Sequence, residues 1–176
     1  MLTYAGLVPG LMTIRPTTRA DLAEIDALFQ RSYPALLKGH YPPSLMVMAI
    51  PLISRANPSL LASGHYFAVT DDNGRIVGAG GWSGADPRSR RARARSVGHI
   101  RHVVTDHTRV RQGIGQALME HIFGDARGIG VGQMECLATR MAVPFYAACG
   151  FEEVGPVTIE LRAGIEFPAV LMRRGL

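Results

Sequence analysis

A strand-like run that passes through a glycine turn directly into an amphipathic helix constrains this chain more than any other feature. Residues 99–106, HIRHVVTD, are rich in β-branched side chains, and residues 109–119, RVRQGIGQALM, carry the turn and the first helical turns. A helix that begins here presents free backbone N–H groups and the positive end of its dipole. Glycine at positions 113 and 115 keeps side chains away from those amides. The pattern predicts an anion site suited to a pyrophosphate.

Two other kinds of phosphate-binding loop do not fit this turn. A P-loop requires a Lys-Ser or Lys-Thr pair at the start of its helix, and no such pair follows Gly115. A dinucleotide-binding turn requires a third glycine, and Leu118 stands at that position. The Gly-x-Gly turn is therefore interpreted together with the segments that follow it.

A second patterned segment follows the helix. Residues 132–139, GQMECLAT, are predicted as a strand, and residues 142–151, AVPFYAACGF, contain a short helix that ends at a glycine. Together with the glycine turn, this order resembles the GCN5-related N-acetyltransferase (GNAT) superfamily. That family carries a Gln/Arg-x-x-Gly-x-Gly/Ala turn and an Asn-x-x-Ala-x-x-aromatic/Leu-Tyr-x-x-x-Gly-Phe segment. The residues in register with the second pattern are Thr139, Ala142, Phe145, Tyr146, Gly150 and Phe151.

The resemblance covers about residues 99–154 and is one of topology alone in the first half of the chain. Two positions depart from the family pattern: Val110 replaces the usual Gln or Arg, and Thr139 replaces the usual Asn. Because such a turn binds phosphates mainly through backbone amides, the first change leaves the predicted site intact. The second shortens any side-chain contact with the pantetheine arm.

The resemblance implies that acetyl-CoA is the co-substrate, that no metal is needed, and that the acetyl group moves to a primary amine of a small molecule or protein. In the family, the strand backbone holds the cofactor arm and the acyl carbonyl, and the turn holds the phosphates. Preorganised N–H donors at a developing oxyanion lower a barrier by about 3 kcal/mol. The residues at those positions here are Val103, Val104, Thr105, Arg111, Gln112, Gly113, Ile114, Gly115, Gln116 and Thr139.

Two residues are candidates for the proton transfers. Tyr146 falls where the family places a tyrosine against the cofactor sulfur, and a phenol stays protonated at neutral pH and can donate to a thiolate. His99 falls where histone-type members carry a catalytic glutamate, so its imidazole is the predicted base. Glu135, Asp106 and a water chain without a dedicated base are alternatives. His102 has the opposite strand parity to His99, so at most one of them is expected to face the substrate.

The acceptor pocket is expected between the first helices and the opposite side of the sheet. Its expected lining is Tyr33, His40, Tyr41, Trp82 and residues near Glu160 or Glu166. This set has no acidic cluster of the kind that would hold a polyamine or an aminoglycoside. The identity of the amine does not follow from the sequence.

Composition indicates one domain, residues 12–176, behind a loose N-terminal tail, residues 1–11. A content of 47% apolar and 19% charged residues is typical of a globular chain, and 176 residues suffice for a sheet with packed helices. No apolar run has membrane-spanning length, and the start lacks the regions of a signal peptide. Cys136 and Cys149 lack metal-ligand spacing and are expected to be reduced and buried, which favours a cytoplasmic protein. The chain is compatible with a homodimer.

The predicted fold class is α/β (mixed α+β). It has a central mixed, mostly antiparallel sheet, splayed at the strand of residues 99–105, with helices on both faces. The order of elements, β-α-α-β-β-β-α-β-α-β-β, is that of the GNAT fold. Residues 71–74, DDNG, are a strong hairpin signal. Pro51 is expected to bend or split the second helix. The two closing strands are predicted near residues 151–161 and 169–173.

An arginine-rich segment, residues 86–96, interrupts this pattern with five arginines and no aromatic residue. It is interpreted as a solvated surface loop, with a polyanion-recruiting surface or a lid near the cofactor phosphates as alternatives. Nucleic-acid readers usually interleave aromatics for stacking, which argues against a nucleic-acid partner. Two rival functions stay open: a catalytically silent acyl-CoA-binding regulatory module, and, less favoured, a nucleic-acid-associated protein that uses this segment.

Overall fold

The computed structural model describes residues 12–86, 88 and 96–176, which form one seven-stranded sheet with five α-helices. The strands are β1 (Thr13–Pro16), β2 (Tyr66–Thr70), β3 (Ile76–Ser83), β4 (Val97–Thr105), β5 (Gln133–Ala138), β6 (Glu152–Arg162) and β7 (Ile165–Gly175). The helices are α1 (Leu22–Leu37), α2 (Pro43–Ile53), α3 (Pro58–Leu61), α4 (Ile114–Gly128) and α5 (Val143–Ala148). The predicted tail, residues 1–11, and most of the arginine-rich segment, residues 87 and 89–95, lie outside the described residues.

The sheet has the order β1-β2-β3-β4-β5-β7-β6, and each neighbouring pair is antiparallel except β4 with β5. That parallel pair is short and joins Val97–His99 to Gln133–Glu135. Beyond it, β4 stays paired with β3 as far as Thr105, while β5 stays paired with β7 as far as Ala138. The two halves of the sheet therefore separate beyond His99. This confirms the predicted mixed, mostly antiparallel and splayed sheet.

Helices cover both faces of the sheet, as predicted. On one face, α4 buries apolar residues such as Leu118 and Ile122, which recur at helical spacing. On the other face, α1 buries Ile25 and Leu28 in the same way. Each such side chain contributes about 1.5–3 kcal/mol when it is fully buried. The sheet is thus the middle layer of the domain, and the ends of its strands carry the connecting turns.

The β2–β3 hairpin forms at the predicted DDNG turn. A side-chain oxygen of Asp71 accepts hydrogen bonds from the backbone N–H groups of Asn73 and Arg75, both at 3.0 Å. Gly74 adopts the left-handed conformation with φ +76°, which glycine takes without steric cost. The local sequence therefore accounts for this turn completely.

The region after α1 differs from expectation. Helix α2 stays continuous through Pro51, which removes one backbone hydrogen bond near the end of the helix rather than splitting it. The short helix α3 was not predicted. It begins because the Asn57 side chain accepts hydrogen bonds from the N–H groups of Ser59 and Leu60. The Asn-Pro-Ser sequence was the signal for it.

Candidate functional site

The separation of β4 from β5 leaves a cleft in the sheet. Among the described residues, the edge of β4 that faces β5 has no partner strand beyond His99, so its backbone groups are available to a ligand. A cavity of about 270 Å³ occupies this cleft, lined by residues of α1, α2, β4, β5, α5, β6 and β7. Concave sites of this size and mixed lining are where proteins bind small molecules. The cleft is therefore the candidate site.

The turn between β4 and α4 has the backbone shape of an anion-binding nest. Arg111 and Gly113 both adopt left-handed conformations, with φ of +62° and +77°. Within the described part of the chain, nothing accepts a hydrogen bond from the backbone N–H groups of residues 112–116. Successive free N–H groups at the start of a long helix attract an anion. The turn thus offers what a pyrophosphate requires.

The two glycines of the turn are needed for different reasons. Gly113 needs its left-handed φ, and a Cβ atom there would project into open space. A Cβ atom at Gly115 would lie 2.9 Å from the Phe145 ring and 3.5 Å from Oγ1 of Thr105. Gly115 therefore also has a packing role, because it lets α5 approach the start of α4 and the end of β4. Of these two glycines, Gly113 is the one that can be substituted without a direct clash.

Asp106 fixes the end of β4 to the turn and to α1. Its buried carboxylate accepts hydrogen bonds from the backbone N–H and hydroxyl of Thr108, at 3.0 and 2.7 Å, and from Nε of Arg31 at 3.2 Å. Burial alone would raise the pKa of Asp106, but the hydrogen bonds from Thr108 and the charge of Arg31 lower it below its ordinary value. The carboxylate is fully engaged, which argues against Asp106 as the base.

We expect Asp106→Asn to lower the free energy of unfolding by about 3 kcal/mol, because Arg31 loses its buried counter-charge. Urea unfolding at neutral pH measures this loss. Since the folded-state pKa of Asp106 is lowered, its contribution is present above the unfolded-state pKa of about 4 and is lost as the pH falls through the folded-state value. The wild type and the variant should therefore converge in stability in acid.

The control for this prediction is Arg15→Met, which breaks the more exposed Arg15–Asp21 pair. Exposed ion pairs contribute at most about 1 kcal/mol, so the control should unfold nearly like the wild type. An equal loss in the two variants would contradict the anchoring role of Asp106.

Tyr146 lies on α5 and lines the cavity. Its ring packs edge-on against Phe145 and Phe151, at centroid distances of 5.1 and 5.5 Å. Within the described residues its hydroxyl has no hydrogen-bond partner, and the hydroxyl oxygen is not fully buried. Burial raises the pKa of Tyr146 well above its ordinary value, so the phenol is protonated at neutral pH. Buried tyrosine hydroxyls usually have a polar partner, so this one is available to a ligand.

The other predicted site residues lie in three places: the cavity wall, the core and the exposed surface of the turn. Val103 and Thr139 line the same cavity as Tyr146, so β4, the residue after β5, and α5 meet there. Val104 and Ile114 are only 2% and 1% exposed, so each can contribute to a site only through its backbone. The predicted residues whose side chains are exposed at the turn are Arg111, Gln112 and Gln116.

His99 lies in a buried ion network instead of the cavity wall. Its Nδ1 is 3.7 Å from Oε2 of Glu135, and Oε1 of the same carboxylate pairs with Arg173 at 2.9 Å. His99 lines a separate small cavity of about 10 Å³. The structure therefore does not bring His99 and Tyr146 to one shared space, and the role of His99 as a base stays a prediction. Glu135 is engaged by arginine, which argues against it as a base.

Arg88 belongs to the arginine-rich segment and is one of the described residues. It pairs with Asp86 at 3.0 Å and with Glu135 at 3.4 Å. Its charge is thus used within the protein rather than offered to a polyanion.

Two of the cavity residues that sequence reasoning missed, Arg101 and His102, lie at a β-bulge in β4. One extra residue of β4 stands opposite Gly80, and His102 takes a φ of +45°. The hydroxyl of Tyr66 donates to the carbonyl of His102 at 2.8 Å. Arg101 and His102 consequently both line the cavity, so strict alternation does not hold there. The available signal was Gly80, because a Cβ atom there would meet Val103 at 2.8 Å.

Of the residues expected to line the acceptor pocket, the structure places some at the cavity and others elsewhere. Tyr33 lines the cavity. Tyr41 is buried beside it, and its hydroxyl donates to the carbonyl of Pro168 at 2.9 Å. Trp82 does not line the cavity, because its position on β3 turns it toward α4, where Nε1 donates to Asp125 at 2.7 Å. The residues of the expected lining that are exposed and outside the cavity are His40, Glu160 and Glu166.

No helix in the described ranges is long and apolar enough to cross a membrane. In the same part of the chain, no group of three or more His, Cys, Asp and Glu residues is placed to hold a metal ion. Cys136 and Cys149 are buried free thiols, and burial raises the pKa of each.

Known proteins share this architecture. A family model described as an acetyltransferase (GNAT) domain matches residues 53–172. No curated protein matches the sequence. A structure described as a GCN5-related N-acetyltransferase, aminotransferase class-II, from Rhodopseudomonas palustris is 19% identical with a TM-score of 0.76, over 97% of this chain and 99% of that chain. The phosphinothricin acetyltransferase of Sinorhizobium meliloti, solved with acetyl-CoA, is 23% identical with a TM-score of 0.63, over 94% and 88%.

A further similar structure is the N-acetylglutamate synthase of Neisseria gonorrhoeae, solved with coenzyme A and N-acetyl-glutamate. It is 20% identical with a TM-score of 0.61, over 95% of this chain and 35% of that longer chain. At these identities the solved structures establish the fold alone. The family model covers more than half of the chain and includes β4, β5, the glycine turn and α5. The chain therefore belongs to the GNAT family of acetyltransferases.

Proposed function

We propose that this protein transfers the acetyl group of acetyl-CoA to a primary amine. The observation that carries the proposal is the cleft between β4 and β5, which has the turn with free amides at the end of β4 and Tyr146 in its wall. Solved structures of the same fold that contain coenzyme A or acetyl-CoA support acetyl-CoA as the ligand. Without the turn, the individual side chains of the cleft would not indicate acetyl-CoA.

The residues present fit acetyl-CoA. The amides of residues 112–116 and the exposed Arg111 would hold the pyrophosphate, since both favour an anion. The free edge of β4 at Val103–Thr105 would pair with the amides of the pantetheine arm as a strand does. Thr139 adds a hydroxyl across the cleft. Acetyl-CoA supplies the thioester, and the remaining steps fall to residues of this chain.

In the proposed reaction, an N–C bond forms between the amine and the acetyl carbonyl while the C–S bond breaks. A backbone N–H of β4 polarises the carbonyl, and one such preorganised donor contributes about 3 kcal/mol. The hydroxyl of Tyr146 donates its proton to the leaving sulfur, and the amine gives up one proton, so that charge balances. Confining both reactants in one cavity removes much of the entropic cost of their encounter.

The proton released by the amine needs an acceptor. In this proposal His99 accepts it through water, because the small cavity that His99 lines shares the wall residues Ile100, Cys136 and Leu137 with the larger cavity. Glu135 and Asp106 are less suited, since both carboxylates are held by arginine.

The test is amine-dependent release of the CoA thiol. The purified protein is incubated with acetyl-CoA and one amine at a time from a panel of amino acids, polyamines, aminoglycosides and lysine-containing peptides. We expect at least one amine to raise thiol release above the amine-free background and to yield an equal amount of acetylated product by mass spectrometry. Coenzyme A binding without any acetylated product across the panel would instead favour a catalytically silent acyl-CoA-binding module.

A further inference from the structure

The cavity has an unbalanced charge. Among its lining residues, Arg101 is the one permanently charged side chain, and no aspartate or glutamate lines it. Burial and the neighbouring Arg101 lower the pKa of His102 to about 4, so His102 is neutral at neutral pH. The cavity therefore presents a single positive charge to whatever enters it.

Arg101 lacks a counter-ion within the described residues, and it differs in this from several other arginines of the fold. Arg31, Arg88 and Arg173 each pair with a carboxylate. The guanidinium of Arg101 donates one hydrogen bond, from Nη1 to Oγ of Ser83 at 3.1 Å, and has no ion pair within the described residues. An arginine carries five N–H donors, so most of its hydrogen-bonding capacity is unused. Burying such a charge is costly unless a ligand supplies the partner.

The position of Arg101 is fixed by the fold. It precedes the β-bulge, where His102 is held by the hydroxyl of Tyr66 and stacks on Phe29 at a centroid distance of 5.7 Å. Its backbone pairs with Gly81 of β3. The guanidinium is therefore presented to the cavity by a rigid sheet rather than by a loop, which favours a specific contact over a general attraction.

The rest of the acceptor side is apolar. Residues of α2, β6 and β7 provide Ile53, Ile159, Leu161, Phe167 and Ala169 to the cavity wall. A purely cationic amine would be repelled by Arg101 and would find no carboxylate there. An amine that also carries a carboxylate would pair with the guanidinium in the bidentate way that the two groups favour.

We infer that the acceptor is a carboxylate-bearing amine with an apolar side chain, as in an apolar α-amino acid, and that Arg101 binds its carboxylate. This inference rests on the proposed acetyl transfer and names its substrate class. Arg101 then selects the substrate and takes no part in the proton transfers.

The test measures binding separately from turnover. The CoA-saturated protein is titrated with N-acetyl-L-leucine, N-acetyl-L-methionine and N-acetyl-L-phenylalanine, and with the carboxamide of each, by calorimetry. We expect each carboxylate to bind about 10- to 100-fold more tightly than its amide, the range of a charge-assisted hydrogen-bonded pair. Arg101→Met should abolish the difference while coenzyme A affinity is retained, and Arg101→Lys should restore part of it. The surface variant Arg15→Met should behave as the wild type.

The possible outcomes separate this inference from the proposed function. Equal binding of carboxylates and amides, tighter binding of the amides, no binding of either, or a preference that survives in Arg101→Met would each overturn the inference. Acetyl transfer itself is judged by thiol release with the wider amine panel. If that panel yields a product only from amines without a carboxylate, the proposed function stands and the role of Arg101 falls.

Discussion

Tyr146→Phe is expected to lower turnover by about 10²- to 10⁴-fold, the range for one acid–base group, and to change little else. The ring that packs against Phe145 and Phe151 is retained. Because the hydroxyl has no partner among the described residues, its removal leaves no buried group unsatisfied. Steady-state kinetics, a melting curve and a coenzyme A titration of the same preparation measure the three quantities.

The protonation state of Tyr146 supports this expectation. Burial raises its pKa well above the ordinary value, so the phenol keeps its proton wherever the protein is folded and near neutral pH. The same apolar surroundings would raise the pKa of the coenzyme A thiol, as they raise the pKa of the neighbouring Cys136. The phenol that donates the proton and the thiolate that accepts it therefore stay matched in pKa. The loss of turnover in the variant should consequently be the same from about pH 6 to pH 9.

Tyr41→Phe is the matched control, since it removes a hydroxyl that the fold itself uses. That hydroxyl donates to the carbonyl of Pro168 and accepts from the N–H of Arg140. Its loss should cost about 1 kcal/mol of stability and leave turnover nearly unchanged. A folded Tyr146→Phe protein with coenzyme A affinity and full activity would show that positioning and backbone donors carry the reaction without this acid.

The sequence was sufficient for the fold where local patterns specify structure. The β-branched run before a Gly-x-Gly turn predicts β4 and α4, and the DDNG turn predicts the β2–β3 hairpin. The segments at residues 132–139 and 142–151 predict β5 and α5 close to their observed bounds. The splayed sheet came from the family resemblance rather than from periodicity. The short pairing between Val97–His99 and Gln133–Glu135 is its structural basis.

The sequence was not sufficient where the result depends on contacts between distant residues. The ion network around His99 brings together Glu135 and Arg173, which no local pattern links. The β-bulge that turns Arg101 into the cavity depends on Gly80 in the neighbouring strand. Strict alternation along one strand fails at such a bulge, so both histidines of β4 had to be placed by the structure.

Gly113→Val is expected to weaken coenzyme A binding by at least about 100-fold, equivalent to about two charge-assisted hydrogen bonds of 1.5 kcal/mol each. Gly113 has a φ of +77°, which valine strongly disfavours, so the backbone of the turn must change and its amides point elsewhere. A Cβ atom there meets no protein atom within 4 Å, so the substitution does not disrupt the core. Gly115 is not suitable as the position for this test, because a side chain there would clash with Phe145.

Gly130→Val is the matched control at the other end of α4. Gly130 also has a positive φ, +91°, and a Cβ atom there also meets open space. Both variants should therefore lose a similar stability, about 1–2 kcal/mol, from the disfavoured backbone conformation. They should differ only in whether the altered backbone lies at the proposed phosphate site.

The central claim, that the turn at residues 112–116 holds the phosphates of acetyl-CoA, is tested most directly by calorimetric titration of coenzyme A into three folded proteins. These are the wild type, Gly113→Val and Gly130→Val. We predict saturable one-to-one binding in the wild type, unchanged affinity in Gly130→Val, and at least about a 100-fold loss in Gly113→Val. Equal affinities in all three proteins, or no binding by the wild type, would contradict the claim.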